Sequence, residues 1–220
     1  MSETPQLPGD ATSRNAAEGA LVNEGLRRHP DGLLRCWWCG EDPAYVAYHD
    51  TEWGRPVRDE RQLFEKLCLE AFQAGLSWLT ILRRREALRA AFAGFDPDRV
   101  ADFTDRDVAR LLDDASIVRN RAKIEATIGN ARALCELRRR RVDLAALVWS
   151  FAPTPTGRPS RPEQVPARTP GSTALSAALK AHGFRFVGPV TAYAFMQAMG
   201  LVDDHLEGCH VPPEATGPGS

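Results

Sequence analysis

Four residues near the two ends of the chain have the types and spacing of metal ligands. Cys36 and His49 are separated by twelve residues, and His205 and Cys209 by three. Positions four apart share one face of a helical turn, so His205 and Cys209 could aim at one point. Thiolate and imidazole together suit tetrahedral Zn²⁺, and four protein ligands would leave no position for water. Such a site would be structural, tying the N- and C-terminal segments together. Cys39 and His210 widen the set to six candidates for four places, and Cys36-x-x-Cys39 has the spacing of a zinc knuckle. Spacing alone fits buried thiols and surface histidines without a metal equally well. Cys68 and Cys135 lie on apolar helical faces and read as core thiols.

A second constellation is aromatic. Trp37, Trp38, Trp53 and Trp78, four of the five tryptophans, fall between residues 37 and 78 with Tyr45 and Tyr48. Such side chains often belong to a core, but flat π faces also stack on nucleobases and attract a cationic ring. Glu70 sits within the same stretch, late in an apolar helix. A carboxylate there must find a partner or carry a task, unless it lies on the helix's polar face. Gln73-Ala74-Gly75-Leu76 follows, a glycine break that presents a bulky apolar residue.

The elements that must position these residues are helical. Leu63, Phe64, Leu67 and Phe72 fall at helical spacing behind Asp59 and Glu60, acids that suit a helix start. Thr104 with Asp107 resembles a capping box, and Ile117, Ile124, Ile128, Ala131 and Leu134 continue the period. Ser172 can cap a helix ended by Gly183, and Pro189 can open one ended by Gly200. Alternating strand patterns are scarce, so the predicted fold class is all-α. Residues 1–30 read as a disordered tail, 31–210 as one domain and 211–220 as a second tail. Six prolines between 152 and 171 mark a long loop, ordered or mobile, of a length unusual inside a compact domain.

Composition adds boundaries. A chain of 220 residues with 43% hydrophobic and 26% charged residues is that of an ordinary globular protein. No apolar run approaches the ~20 residues of a membrane span, and no secretory signal opens the chain. The expectation is a cytoplasmic protein with reduced thiols rather than a disulfide framework. A net charge of −1 argues mildly against nucleic acid, but Arg83 to Arg85, Arg119 to Lys123 and Arg138 to Arg141 are local basic clusters.

Several motifs together resemble the 3-methyladenine DNA glycosylase I family. They are Tyr45-Val-Ala-Tyr48-His49-Asp50 with Glu52-Trp53-Gly54, and Leu69-Glu70-Ala-Phe-Gln73-Ala-Gly75-Leu76-Ser77-Trp78. Ile128-Gly-Asn-Ala-Arg132, Phe184-Arg-Phe-Val-Gly188, Phe195-Met-Gln197-Ala and Gly200-Leu-Val-Asp-Asp-His205 complete the set. The resemblance runs from about Cys36 to Cys209.

It implies a helix–hairpin–helix repair fold with one structural zinc on Cys36, His49, His205 and Cys209. It implies a base pocket using Trp38, Tyr48, Glu70 and Trp78, with Tyr45 and Trp53 nearby. A hairpin near Ser116 to Lys123 would face a DNA phosphate, and Gln73 to Leu76, including Gly75, would enter the duplex. This hairpin carries no glycine, which shifts the expected phosphate contact toward Arg119, Arg121 and Lys123.

The implied activity is hydrolysis of the N-glycosidic bond of 3-methyladenine in double-stranded alkylated DNA, by a monomer, leaving an abasic site. Glu70 is the expected selectivity residue, since a methylated adenine in DNA is cationic and its bond to the sugar already weak. A zinc-stabilised nucleic-acid-binding module without catalysis is the competing reading. A zinc hydrolase fits worse, because four protein ligands close the metal site.

Overall fold

The computed structural model describes residues 21–23 and 25–213. Residues 1–20, Glu24 and 214–220, with most of both expected tails, lie outside the described residues. The fold is mostly helical but not all-α. β1 (Leu21–Asn23), β2 (Leu26–Arg28) and β3 (Leu34–Cys36) form an antiparallel sheet in that order, with Leu26 opposite Cys36 and Arg27 opposite Arg35. Strands of three residues are too short for alternation to register. The first two also occupy the stretch expected to be tail, so regular structure begins before residue 31. At the other end Val211, expected in the second tail, is buried beside Leu26, Cys36, Leu206 and Cys209.

Helix starts follow local side-chain chemistry. Asp42 caps α1 (Pro43–Thr51), with proline as its first residue, and Asp59 caps α2 (Glu60–Gln73) by accepting from the backbone of Gln62. Ser77 caps the short α3 (Trp78–Leu82), followed by α4 (Arg85–Ala91) and α5 (Pro97–Ala101). The expected box of Thr104 and Asp107 opens α6 (Asp105–Asp113). Asn120 caps α7 (Arg121–Arg139), and Asp143 caps α8 (Leu144–Trp149). For α9 (Pro170–Ala181) the cap is Thr169, three residues before the expected Ser172, which instead answers it from inside the first turn. Pro189 opens α10 (Pro189–Ala198) as expected. The chain leaves α10 at Gly200, where φ is +72° and a Cβ would lie 2.5 Å from the backbone of Arg55 and Pro56. Only glycine tolerates both conditions.

The long α7 packs against α2, α5 and α6, while α10 packs against α2 and α9. Phe64, Phe72, Phe92, Phe95 and Phe195 fill the main core between them. Each such side chain contributes about 2 kcal/mol by leaving water. The proline-rich stretch is a packed loop. Arg158 pairs with Asp203 at 2.8 Å, Glu207 N–H donates to the Pro159 carbonyl at 2.9 Å, and Pro170 and Gly171 already belong to α9. This packing holds the loop against the C-terminal segment.

Candidate active site

One cavity of about 270 Å³ gathers the aromatic constellation. β3 ends in a short 3-10 turn carrying Trp37 and Trp38, α1 supplies Tyr45 and Tyr48, and the turn after α1 supplies Trp53. Glu70 reaches the cavity from the last turn of α2, and Trp78 from the first residue of α3. Trp38 lies 5.3 Å from Tyr45 and 4.8 Å from Trp53 between ring centroids, and Tyr48 lies 5.2 Å from Trp78. These tilted and edge-on arrangements leave the cavity walled by π surface. The indole N–H of Trp78 is buried with no hydrogen-bond partner.

Sequence reasoning missed several wall residues. Val165 comes from the proline-rich loop, Ala194 and Gln197 from α10, and Asp204 from the segment after it. Asp204 accepts from Tyr193 Oη at 2.6 Å and Gln197 Nε2 at 2.8 Å, so it is a fixed second carboxylate in the same cavity. Only Asp204 and Gln197 fall within the recognised motifs, and nothing in their spacing points them inward.

Glu70 is 5% exposed, and it has a partner that the sequence reading overlooked. Lys66, one helical turn earlier and equally buried, places Nζ 2.8 Å from Glu70 Oε1 and donates to Tyr48 Oη at 2.9 Å. The same ammonium lies 3.3 Å from the Trp78 ring centroid. Burial lowers the Lys66 pKa, and Glu70 beside it works in the opposite direction. Burial likewise pushes the Tyr48 phenol well above its ordinary value. The visible signal was a lysine four residues before a glutamate on one helix, a spacing at which side chains meet.

The expected ligand set also converges. Cys36, His49, His205 and Cys209 are all buried, and their ligand atoms lie within 4.8 Å of one another, an arrangement able to hold a metal ion. Cys209 Sγ is 3.6 Å from both His49 Nε2 and His205 Nδ1, and Cys36 Sγ is 3.8 Å from His205 Nδ1. Hydrogen bonds from Cys36, then His205 and His49, pull the Cys209 thiol far below its ordinary value. His49 Nδ1 meets Asp50 Oδ1 at 2.7 Å, and His205 Nε2 meets the Trp53 carbonyl at 3.1 Å, which fixes both rings. Cys39 faces His29 at 3.9 Å instead, and His210 contacts Asp50 at 2.9 Å, so neither belongs to the four.

The residues expected to meet DNA divide. Leu76 is 41% exposed on the turn between α2 and α3, where Gly75 has φ +82° and open space around it. Gln73 is half-buried and reaches the cavity wall. Arg119 and Arg121 are exposed, with Arg121 3.3 Å from Glu125. Lys123 is different, because it is buried and donates to the carbonyls of Phe72 at 2.8 Å and Ala74 at 2.6 Å. Carbonyls at a helix end lack an intrahelical donor, and Lys123 satisfies these two, so this ammonium is engaged inside the protein rather than offered to a phosphate.

A model of the methyladenine glycosylase family matches residues 38–212. The chain belongs to that family. A glycosylase family is one of enzymes, so the non-catalytic binding module gives way. Among curated relatives, this methyladenine glycosylase family member is 51% identical to DNA-3-methyladenine glycosylase 1 of Escherichia coli strain K12, over 80% of this chain and 96% of that one. Among solved structures it is similar to a 3-methyladenine DNA glycosylase I at 49% identity and TM-score 0.78, over 80% of this chain and 98% of that one. It also resembles the Staphylococcus aureus 3-methyladenine DNA glycosylase I, in a structure describing 3-methyladenine recognition. There the identity is 38% and the TM-score 0.76, over 79% of this chain and 94% of that one.

Proposed function

We propose that this glycosylase hydrolyses the N-glycosidic bond of 3-methyladenine in alkylated double-stranded DNA and leaves an abasic site. The observation that carries this reading is the aromatic cavity with Glu70 in its wall. At about 270 Å³ it suits a single base better than a larger ligand. The target nucleotide flips out of the stack at a cost of a few kcal/mol. Trp38, Tyr45, Tyr48, Trp53 and Trp78 offer π faces to the cationic purine. Glu70 accepts from its exocyclic amino group and opposes its charge. The methylated base departs neutral, so no strong general acid is required, and water attacks C1′ with mostly electrostatic help.

In this reading α6, the turn at 114–120 and α7 form a helix–hairpin–helix that meets a phosphate, with Arg119 and Arg121 as its cationic contacts. Gln73 and Leu76 enter the gap left by the base, helped by the break at Gly75. Lys123 supports this edge by bracing the end of α2 and is not counted among the phosphate contacts. Cys36, His49, His205 and Cys209 hold one zinc ion. Zinc–ligand bonds of about 2.3 Å to sulfur and 2.0–2.1 Å to nitrogen give a tetrahedral S–N edge near 3.6 Å, the spacing of these atoms. The metal is structural, joining β3 and α1 to the C-terminal segment. The protein acts as a cytoplasmic monomer, and among the described residues no helix is long and apolar enough to cross a membrane.

The test is incubation with methylated duplex DNA, followed by chromatography of released bases and counting of alkali-labile sites. Free 3-methyladenine and abasic sites should appear in equal amounts. Folded, metal-loaded protein that releases no 3-methyladenine overturns the proposal.

A further inference from the structure

Lys66 is a buried ammonium, and it touches three of the residues that would hold the base. Its Nζ is 2.8 Å from the Glu70 carboxylate, 2.9 Å from Tyr48 Oη and 3.3 Å from the centroid of Trp78. Glu70, Tyr48 and Trp78 line the cavity, and Lys66 stands behind them. The two features best suited to attract a cationic ring, a carboxylate and an indole face, are therefore already engaged by a cation of the protein's own. Other charges nearby are Glu52 and Arg85, which are paired with each other. Tyr45 also faces the Glu70 carboxylate.

We propose that Lys66 is a positioning and specificity-determining residue that tunes the pocket toward the departing, neutral base rather than the cationic nucleotide. The inference rests on the glycosylase reading above. When the C1′–N9 bond breaks, its electron pair passes to N9. The base loses its positive charge, and the sugar carbon gains it. Water then bonds to C1′ and releases a proton to solvent. A fixed ammonium behind the base opposes the charge of the starting nucleotide and ceases to do so as that charge moves to the sugar. It weakens ground-state binding and favours the transition state, the differential effect that raises turnover. It also holds the Glu70 carboxylate in one position, so that it accepts from the exocyclic amine.

The experiment compares wild-type protein, Lys66→Met and Lys66→Arg in steady-state and single-turnover release of 3-methyladenine from methylated duplex DNA. Lys66→Met should lower kcat about tenfold while KM stays equal or falls, and Lys66→Arg, which keeps the charge, should restore most of kcat. The buried pair is broken in either case, so the melting temperature falls whatever the role of Lys66; a Lys66 that only supports the fold would raise KM and show no rescue of kcat by arginine, and that result overturns the proposal. An unchanged kcat in folded Lys66→Met overturns it as well. Should Lys66→Met not fold, Lys66→Gln takes its place, with the same two outcomes deciding. The wild-type reaction separates the two readings: absence of release there defeats the glycosylase assignment, whereas release with no kcat difference defeats only the role of Lys66.

Discussion

Glu70 brings a negative charge into a wall that is almost fully dehydrated, and such a charge persists only with a partner. Lys66 is that partner, at 2.8 Å, and in the proposed reading the base would be a second partner on the cavity side. A single Glu70→Gln change therefore does more than alter recognition. It leaves Lys66 buried without its counter-ion, and breaking a buried pair costs about 3–5 kcal/mol. The mutant should lose both melting temperature and activity. The recognition component is isolated by comparing Lys66→Met with Lys66→Met/Glu70→Gln. Adding the second change should weaken KM for methylated DNA by about ten- to a hundredfold, the value of a charge-assisted hydrogen bond. Equal KM values in the two proteins would show that the aromatic faces alone recognise the base. The pairing was open to inference from the spacing of Lys66 and Glu70. What hid it was the apolar character of the surrounding helix, in which a lysine reads as the exposed position.

At the scale of elements, the turn between α2 and α3 is where protein chemistry and DNA shape would meet. α2 stops at Ala74, whose ψ of 114° leaves the helix, Gly75 follows in a left-handed conformation, and α3 restarts at once under the cap of Ser77. The short break pushes Leu76 outward. Lys123, at the start of α7, donates to the carbonyls of Phe72 and Ala74 and so braces this turn against α7. The two edges proposed to meet DNA are thus joined through Lys123. Leu76→Ala should weaken binding to duplex DNA containing an abasic site by about tenfold, the value of one leucine removed from water. The affinity for free 3-methyladenine should remain nearly unchanged, since Leu76 is absent from the cavity wall. Titration of both ligands against both proteins checks this, and an equal loss for the two ligands would place Leu76 in the pocket.

Across the whole molecule, the ligand cluster closes the domain by joining β3 and α1 to the segment after α10. If the four side chains hold the proposed structural zinc, Cys209→Ser should abolish zinc binding and lower the melting temperature more than the rate per folded molecule, because such a metal would supply folding energy rather than chemistry. Cys39→Ser should leave the zinc content at one per chain, as read by elemental analysis, and loss of zinc in that variant would reassign the ligands. The sequence by itself determined the longer helices α2, α6, α7, α9 and α10, the capping box at Thr104, the family and the aromatic residues and Glu70 that converge on the cavity. These depend on short-range periodicity and on motifs whose side chains are few and particular. Tertiary structure decided the rest. It left Cys39 and His210 outside the four converging Cys and His side chains, turned Lys123 inward, set Lys66 against Glu70, and added Asp204 and Val165 to the cavity wall. It also formed three strands too short to leave a pattern. Each of these outcomes depends on distances between elements remote in sequence or on which face of a helix is covered, and local spacing carries neither quantity.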